Sequence, residues 1–482
     1  MRLGQAVAGA LVGVEYLVID KSGREHELDL TDIDACPPVA QDELLRQFIL
    51  SEEVGRIPHE APAHIKLMQR LELVDYEPAS DVGHMRFYPK GALMKDLIED
   101  WVLNVALSLG AMVIETPTMY RADEPDIRAQ AERFIEKDYK LDVDGKKLFL
   151  RFAGDFGLFR MMKNARMNVR QLPVRVFEIA PSYRLETRRE CVGLRRMRKF
   201  TMPDLHCFCK DLEQAKEEFR LLTLKYAELL RGLGLDFVHA YRAERAFYEE
   251  NRDFFVKVAV ELGKPTMVQL LPERKHYWAL KNEFQYVDSV GKNFQLSTVQ
   301  IDVEDSERYG ITYTDVDGSE RGCVIVHSSP GSIERLMCAV LEEAAKAIKA
   351  DRLAMVPTWL SPTQVRLIPI ADRHLEYAIK VAEELVGAGI RADVDDRKHT
   401  MDWKVRAAAM EWVPYVGVVG DREVREGRVM VTIRAKSEPN RPYKVSMTVQ
   451  ELRDTVLKEL EGKPRRPSYL PMRLSMRPGF RS

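Results

Sequence analysis

One stretch of the sequence, residues 174–209, concentrates side chains that bind phosphate. Its β-branched and aromatic start and its alternating end predict two strands joined by a charged bend. A guanidinium stays charged and binds phosphate oxygens in pairs, so such a hairpin suits a polyphosphate ligand. A solvated basic hairpin is the plain alternative, and composition alone does not decide between the two. The arginines concerned are Arg184, Arg188, Arg189, Arg195, Arg196 and Arg198.

The order of residues in this hairpin favours the nucleotide-binding interpretation. It runs Arg-x-Glu, a basic loop, Arg-x-Arg-x-Phe and then Asp-x-His, and it resembles motif 2 of the class II aminoacyl-tRNA synthetases, in the form of the threonyl-tRNA synthetase family. The resemblance implies that Arg184 holds the α-phosphate and the amino-acid carboxylate, and that Glu186 accepts from the adenine amino group. It also implies that Arg196 binds the outer phosphates and Phe200 stacks on the adenine. Asp204 would bind the ammonium group of threonine.

Two later segments extend the resemblance. Arg335 enters a predicted helix at its first turn, where the macrodipole disfavours a cation unless an anion compensates it; solvent exposure is the alternative explanation. The Gly-x-x-x-Arg pattern there resembles motif 3, whose arginine holds the γ-phosphate, so Arg184 and Arg335 are the predicted catalytic residues. Gln295 and Gln300 lie on a predicted central strand and are costly to bury without partners. The resemblance assigns Lys281 and Gln295 to ATP and Gln300 to threonine.

The resemblance also implies a metal site. The threonyl family holds one zinc ion per subunit with one cysteine and two histidines, and threonine completes the coordination. Here His206 and His327 occupy the histidine positions, and Asp155 stands where the family has cysteine. A carboxylate ligates zinc at about 2.0–2.2 Å, but it is a harder ligand than a thiolate, so other divalent ions compete better. Mg²⁺ is expected separately, together with ATP.

The composition excludes several classes of protein. The formal net charge is -2, so any RNA-binding surface must be local. The cysteines show no disulfide-framework spacing, which predicts a reducing, cytoplasmic location, and no apolar run approaches the length of a membrane span. Cys207 and Cys209 alternate along a predicted strand, which is more typical of a buried face than of a metal site. The six cysteines are Cys36, Cys191, Cys207, Cys209, Cys323 and Cys338.

Four parts are predicted along the chain. Residues 1–62 form a small amino-terminal segment with a β-hairpin and no editing domain. Residues 63–355 form an α+β class II catalytic domain, an antiparallel sheet with helices, in which the helix 91–109 and strand 111–117 resemble the dimer-forming motif 1. Residues 356–462 alternate helix and strand and resemble an α/β anticodon-binding domain. Residues 463–482, with five arginines and one lysine, form a basic tail that either contacts RNA phosphates or is disordered.

The anticodon-binding domain contains two candidate base-reading residues. The phrase Gly-Asp-Arg-Glu-Val, which includes Glu423, resembles the base-contacting segment of that domain family. A basic position of the family is Thr432 here, so Arg434 is expected to substitute for it. The partner implied by the resemblance is tRNA(Thr), read at the middle and last anticodon bases.

The implied function is threonine–tRNA ligation by a homodimer, using ATP and threonine. Serine keeps the amino and hydroxyl groups that the metal binds, and one methyl group gives only about 1–3 kcal/mol of discrimination. Without an editing domain, we expect mischarged Ser-tRNA(Thr) to be cleared by a separate protein. Relatives also carry a histidine after motif 1 that helps to deprotonate the tRNA ribose, and Gln130 stands there in this chain.

Three alternatives remain at this point. A prolyl-type enzyme has no such metal site, and a seryl-type enzyme lacks this carboxy-terminal domain. A non-catalytic, synthetase-like RNA-binding paralogue would usually lose motif residues, whereas Arg184, Glu186, Arg196 and Arg335 are all present.

Overall fold

The structure, a computed structural model, describes residues 13–128, 137–274 and 276–480. The chain divides into two compact units. The first unit comprises Met1–Pro62 and Val102–Ala339, and the second comprises Ala63–Trp101 and Val340–Ser482. Residues 63–101, assigned to the catalytic domain from sequence, thus belong by their contacts to the second unit. The four predicted functional boundaries stay predictions.

The strands of the described residues form five sheets. They are β1 (Glu15–Ile19), β2 (Glu25–Glu27), β3 (Val74–Tyr76), β4 (Met85–Phe87), β5 (Met112–Val113), β6 (Met119–Arg121), β7 (Lys140–Val143), β8 (Lys146–Leu150), β9 (Met167–Asn168), β10 (Val174–Tyr183), β11 (Lys199–Cys209), β12 (Val238–Glu244), β13 (Thr266–Leu271), β14 (Trp278–Val287), β15 (Asn293–Asp302), β16 (Thr312–Thr314), β17 (Glu320–Gly322), β18 (Val324–Ser329), β19 (Val365–Pro369), β20 (Ala392–Val394), β21 (Tyr415–Val419), β22 (Arg428–Ile433) and β23 (Lys444–Thr448).

The α-helices of the described residues pack around these sheets. They are α1 (Pro37–Ala40), α2 (Glu43–Glu52), α3 (His64–Arg70), α4 (Pro89–Ser108), α5 (Asp155–Lys163), α6 (Leu212–Gly232), α7 (Arg245–Glu250), α8 (Arg252–Leu262), α9 (Asp305–Tyr309), α10 (Ile333–Lys349), α11 (Leu375–Gly387), α12 (Met401–Met410), α13 (Asp421–Glu426) and α14 (Val449–Glu459). None of them is both long enough and apolar enough to cross a membrane.

The first unit is built on a ten-stranded sheet in the order β2-β1-β13-β12-β14-β15-β18-β11-β10-β5. Its pairs are antiparallel except β12 with β13 and β10 with β5. The amino-terminal hairpin belongs to this sheet, because β1 pairs with β13 and residues such as Phe48 and Ile49 are buried beneath it. The sheet therefore extends from the amino-terminal segment to the predicted motif 1 strand.

Helix α6 covers one face of the sheet's centre. Asp211 caps it by accepting the amide of Gln214 at 2.9 Å, and its apolar stripe is buried, as the 3.6-residue period requires. Polar contacts fix its position: Tyr226 pairs with Ser328 at 2.8 Å, and Thr223 accepts from Asn282 at 2.8 Å. The residues next to these on each strand must point to the opposite face, since side chains alternate along a strand.

The motif 1 strand is shorter than predicted. Residues 111–117 were expected to be one strand closed by proline, but only Met112–Val113 pair with β10, in parallel. Beyond them the amide of Ile114 still bonds the carbonyl of Phe177 at 2.9 Å. Pro117 has no amide hydrogen to continue a ladder, which limits pairing at this sheet edge.

The second unit contains a five-stranded sheet in the order β20-β19-β21-β22-β23. The first three strands are parallel, and β22 and β23 are antiparallel to their neighbours. Helix crossovers between the parallel strands give the α/β alternation that the sequence predicts. Arg366 on β19 is buried, and its guanidinium donates to the carboxylates of Asp393 on β20 and of Glu411, each at 2.8 Å.

The described part of the basic tail contacts other residues of the second unit through ion pairs. Arg466 bonds Asp96 and Asp100 of α4, at 3.0 and 2.5 Å. Arg473 and Arg477 bond further carboxylates of the second unit. Its positive charge is therefore matched by acids of the same unit, which the local sequence, free of acids, gave no reason to expect.

Candidate active site

Four polar side chains lie in one row across the middle of the ten-stranded sheet. His206 on β11 is directly opposite His327 on β18, which is opposite Gln300 on β15, which is opposite Lys281 on β14. Because their strand neighbours bond helix α6, these four point to the other face. Residues distant in sequence thus share one side of the sheet.

Asp155 completes a cluster with two of these residues. One ligand atom each from Asp155, His206 and His327 lies within 4.8 Å of the other two. Asp155 is the first residue of helix α5, where the helix dipole favours a negative charge. Nε2 of His206 lies 3.2 Å from Oδ1 of Asp155, whereas the buried Nδ1 has no hydrogen-bond partner. Leaving a buried nitrogen unsatisfied is costly unless a ligand binds there.

Opposite influences act on the two histidines. Burial lowers the pKa of His206 and outweighs the nearby Asp155 carboxylate. Burial by itself would also lower the pKa of His327, but its hydrogen bond to Asp302 prevails and raises the pKa to about 9. Burial likewise works to raise the pKa of Asp155, but the two histidines and Arg184 outweigh it and lower that pKa. The carboxylate is thus kept ionised and ready to bind a cation.

Three residues that sequence reasoning did not assign hold this cluster in place. Oδ2 of Asp302 lies 2.7 Å from Nε2 of His327, which leaves the other ring nitrogen for a metal. Tyr277 donates to Gln300 at 2.7 Å and lies against the His327 ring. Phe159 packs edge-on against both imidazoles. Asp302 shares the strand face of Gln300 two residues earlier, so alternation was a signal that could have found it.

Asp204 is held close to the backbone of the loop before α5. A side chain at Gly154 would bring its Cβ within 2.9 Å of Oδ2 of Asp204, so glycine is required at this close approach. Burial raises the pKa of Asp204 well above its usual range, and the charges of Asp155 and Glu178 raise it further. A cation arriving at this carboxylate would remove that penalty, as the ammonium group of an amino acid does.

A second part of the site is lined by the predicted phosphate-binding residues. Arg184 donates to the carbonyl of Phe152 at 3.1 Å and stacks over the ring of Phe200 at 5.2 Å. Glu186 accepts from Lys137 at 2.8 Å, and Arg196 bonds Glu190 at 3.2 Å. The cavity is lined by Arg184, Glu186, Leu194, Arg195, Arg196, Met197, Phe200, Met202, Ser332 and Arg335.

Arg335 lies in this cavity, where burial and neighbouring positive charges both disfavour its charged form. Its guanidinium donates to the carbonyls of Arg195 and Gln295, at 2.9 and 3.0 Å. Burial lowers its pKa to about 10, and the charges of Arg184 and Arg196 act in the same direction. Three guanidinium groups around one cavity repel each other until an anion enters, so the pocket is prepared for a polyphosphate.

Lys281 and Gln295 lie beside each other next to this cavity. The ammonium group of Lys281 is 2.8 Å from Glu283 and 3.3 Å from the amide oxygen of Gln295. The structure therefore brings together the predicted ATP-binding, threonine-binding and metal-binding residues. Cys207 and Cys209 are buried thiols whose pKa burial raises.

Comparisons with known proteins agree with this chemistry. Residues 139–344 match the family described as tRNA synthetase class II core domain (G, H, P, S and T), and residues 364–459 match the anticodon binding domain. The threonine–tRNA ligase of Methanothrix thermoacetophila is 48% identical, over 91% of this chain and 71% of that protein. That of Methanococcoides burtonii is 44% identical, over 96% of this chain and 73% of that protein.

The chain belongs to the threonine–tRNA ligase family. The predicted ligase activity and class II fold are thereby confirmed. Two solved structures share the fold. The RNA binding domain of threonyl-tRNA synthetase from Cryptosporidium parvum has a TM-score of 0.73 at 23% identity, covering 85% of this chain and all of that one. Prolyl-tRNA synthetase from the same organism, with L-proline and AMP, has a TM-score of 0.64 at 15% identity, covering 82% and 74%.

The two predicted anticodon-reading residues of this ligase lie at opposite ends of the five-stranded sheet. Glu423 follows β21 and accepts the amide of Gly420 at 3.0 Å. Arg434 follows the antiparallel β22, and Tyr415 at the start of β21 pairs with Ile433. The guanidinium of Arg434 already donates to the carbonyls of Ala354 and Ala409, at 2.7 and 3.0 Å. The length of β21, about 13 Å for four residue steps, separates the two ends.

A cleft of about 690 Å³ opens at the end of the sheet where Glu423 lies. It is formed where β19 and β20 end, the edge at which open α/β sheets bind ligands. The exposed indole of Trp403 stacks on His399, with ring centroids 3.8 Å apart, and Arg397 lies 4.9 Å from its centroid. Sequence reasoning missed this cleft, because its lining comes from two segments, residues 369–375 and 396–404, that only the fold brings together. The lining residues are Pro369, Ile370, Ala371, Asp372, Leu375, Asp396, Arg397, Lys398, His399, Thr400, Trp403 and Lys404.

One predicted position cannot be placed. Gln130, which stands at the family's ribose-activating histidine, lies outside the described residues.

The Asp155 cluster yields the first prediction. Asp155→Ala should release the metal and abolish threonine activation together, because the cluster then has two ligands. Zinc binding should weaken by at least about tenfold, which loss of a group that merely orients a ligand already produces. Asp155→Cys restores the softer ligand set and should hold zinc at least as tightly. Metal content by mass spectrometry measures both effects. ATP binding is the control, and a fully active protein without metal would contradict the assignment.

Proposed function

We propose that this ligase activates threonine with ATP to threonyl-adenylate and transfers the threonyl group to the terminal adenosine of tRNA(Thr). The observation that carries the proposal is the convergence on one sheet face of two kinds of site. The His206–His327 pair and Asp204 suit the amino and hydroxyl groups of threonine. The guanidinium groups of Arg184 and Arg335 suit the phosphates of ATP, which enters with Mg²⁺.

The first step is an in-line displacement at phosphorus. A carboxylate oxygen of threonine attacks the α-phosphorus of ATP, and the bond to the bridging oxygen breaks with its electrons leaving on pyrophosphate. Arg184 neutralises the α-phosphate and the attacking carboxylate, which would otherwise repel each other. Arg196 and Arg335 stabilise the charge that develops on pyrophosphate, and Glu186 and Phe200 hold the adenine. Positioning and charge stabilisation therefore supply most of the catalysis.

Selection of threonine belongs to the metal cluster. Asp155, His206 and His327 would hold a zinc ion, since their donor set suits one and their ligand atoms lie within 4.8 Å of one another, and three protein ligands leave a position open. Bound zinc supplies a Lewis acid that takes the amino and hydroxyl groups. Asp204 accepts hydrogen bonds from the N–H groups of that amino group, which is neutral when a metal holds it, and Gln300, oriented by Tyr277, contacts the amino acid.

The second step transfers the threonyl group. A hydroxyl of the terminal ribose attacks the carbonyl carbon of the adenylate and forms an ester, AMP leaves with the electrons of the broken acyl–phosphate anhydride bond, and the ribose proton passes to a base. Arg184, still bonded to the α-phosphate, stabilises the departing AMP. Gln130 stands at the sequence position of the family's ribose-activating histidine, and a part for it in this proton transfer stays a prediction.

The cleft around Trp403 is the proposed anticodon site. Its exposed indole, with the cations of Arg397 and Lys398 beside it, suits an unpaired base, because bases stack on aromatic side chains and their phosphates need positive charge. Glu423 lies at the same end of the sheet and is placed to read a base edge. The role of Arg434 stays a prediction from sequence, since its guanidinium is bonded to backbone at the other end.

A second copy of the chain is the proposed occupant of the free edge of the ten-stranded sheet. Strand β5 ends the sheet, and Met112 and Val113 on it are 54% and 52% exposed, with Leu107 50% exposed just before it. An exposed apolar strand edge favours pairing with another chain. Sedimentation analysis should give the mass of a dimer, and a monomer would refute this.

Arg335 provides a test of the adenylate step. Arg335→Ala should lower the single-turnover rate of adenylate formation by more than about tenfold, a barrier increase of about 1.4 kcal/mol. The fold should survive, because only two carbonyl contacts are lost. Arg189→Ala removes an exposed arginine of the same hairpin and serves as the matched control. A loss below tenfold, or an equal loss in the control, would count against the assignment.

Serine tests the expectation that this chain does not edit. The chain should attach serine to tRNA(Thr), because serine lacks only a methyl group. Preformed seryl-tRNA(Thr) incubated with the 482-residue chain should persist as long as it does in buffer alone. Rapid deacylation would refute the expectation, and with it the need for a separate editing protein.

Base recognition is tested by charging kinetics. Trp403→Ala should raise KM for tRNA(Thr) about tenfold, since stacking on an aromatic side chain is worth about 1–3 kcal/mol per base. Trp403→Phe keeps a stacking surface and should retain most of the affinity. Transcripts altered at the middle or last anticodon base should be charged poorly by the unmodified chain. Equal charging of all transcripts would overturn the anticodon assignment.

A further inference from the structure

Residues 463–480, here called the carboxy-terminal strap, lie along the free edge of β20. The amide of Val394 donates to the carbonyl of Met472 at 3.0 Å, and Val394 and Arg473 form a parallel bridge. The strap thus continues the sheet where β20 has no other strand partner among the described residues. An edge strand left open would expose unpaired amides and carbonyls, so this pairing fixes the strap in register.

Three hydrogen bonds from the strap to the loop after β20 end on one carboxylate, that of Asp396. Asp396 accepts from Nε of Arg473 at 2.7 Å, from the amide of Ser475 at 2.8 Å and from the hydroxyl of Ser475 at 2.5 Å. The side chain of Asp396 is only 1% exposed. These three donors hold the carboxylate, and with it the loop after β20, in one position.

The other end of the strap is fixed to helix α4. Arg466 makes a two-bonded ion pair with Asp100 and a further bond to Asp96. The ammonium group of Lys463 lies 3.9 Å from the ring centroid of Trp101. Several charges held together in one network contribute more than single surface pairs do. The strap therefore connects a regular helix to a loop that has no regular structure of its own.

That loop forms a wall of the proposed anticodon cleft. Asp395, next to Asp396, is fully buried and holds the guanidinium of Arg397 by two bonds, at 2.8 and 2.6 Å. Arg397 in turn lies over Trp403. Consecutive residues of the loop therefore contact different partners. Asp396 bonds the strap, whereas Asp395 holds Arg397 against the ring of Trp403.

We infer that the carboxy-terminal strap is a positioning element for tRNA recognition, acting through Asp396 on the loop that presents Arg397 and Trp403. The inference rests on the proposed role of the cleft. A loop already ordered in its binding shape loses less conformational entropy when the tRNA arrives, so the strap increases affinity without contacting RNA. Direct phosphate binding by the strap is the competing explanation, but Arg466, Arg473 and Arg477 are already paired with carboxylates.

The double variant Arg473→Ala with Ser475→Ala tests this inference. Both residues are exposed, so the fold should survive, and pyrophosphate exchange should stay within about twofold because the adenylate site is untouched. KM for tRNA(Thr) should rise about tenfold with kcat little changed, as expected for lost binding energy. Arg465→Ala is the matched control, since it removes one positive charge from the strap at an exposed position. Arg473→Lys with Ser475 intact should recover most of the affinity.

The outcomes separate the inference from the function on which it rests. If the double variant and Arg465→Ala raise KM equally, the strap acts by charge and the inference fails. If Trp403→Ala raises KM but the double variant does not, the cleft binds tRNA and only the positioning role fails. If Trp403→Ala leaves KM unchanged, the cleft assignment itself fails. A rise in KM for Trp403→Ala and the double variant, but not for Arg465→Ala, supports the inference.

Discussion

The register of three antiparallel strands is the constraint on which the active site depends. β11, β18 and β15 place His206, His327 and Gln300 side by side, and a shift of one residue in any of these strands would turn its member to the helix-covered face. A contact of helix α6 opposes such a shift in the central strand β18, because Tyr226 bonds Ser328, the residue next to His327. The helix on one face thereby keeps the chemistry on the other.

Several buried polar and charged groups of the site are left in unfavourable surroundings that a bound ligand would improve. His206 has a buried Nδ1 without a hydrogen-bond partner, Asp204 is a buried carboxylate whose pKa is raised, and Arg335 is a buried guanidinium whose pKa is lowered to about 10. Each arrangement costs stability and favours a partner of defined charge. A metal ion, an amino group and a polyphosphate would relieve these penalties, and the last two belong to the amino acid and ATP that a threonine–tRNA ligase uses.

In the second unit, buried side chains hold the loop after β20, which has no regular secondary structure. Buried carboxylates do this from both sides, Asp395 toward Arg397 and Asp396 toward the strap. Arg466, Arg473 and Arg477 of the strap are paired with acidic residues of the same unit. A high local charge is therefore weak evidence for RNA binding until its neighbours are known.

The sequence by itself determined the class II fold and the ligase family, and it predicted residues of the adenylate site, because these depend on short motifs whose residue order is fixed by local strand and turn geometry. It could not identify Asp302 and Tyr277 as supports of His327 and Gln300, nor Gly154 beneath Asp204, since these contacts join segments far apart in the chain. Tertiary structure alone decided that Glu423 and Arg434 lie at opposite ends of one sheet, and that β5 is short. It also showed that the tail is paired within its own unit. In each case the outcome depended on which strand or acidic residue lies opposite, and the local sequence does not encode the identity of a distant neighbour.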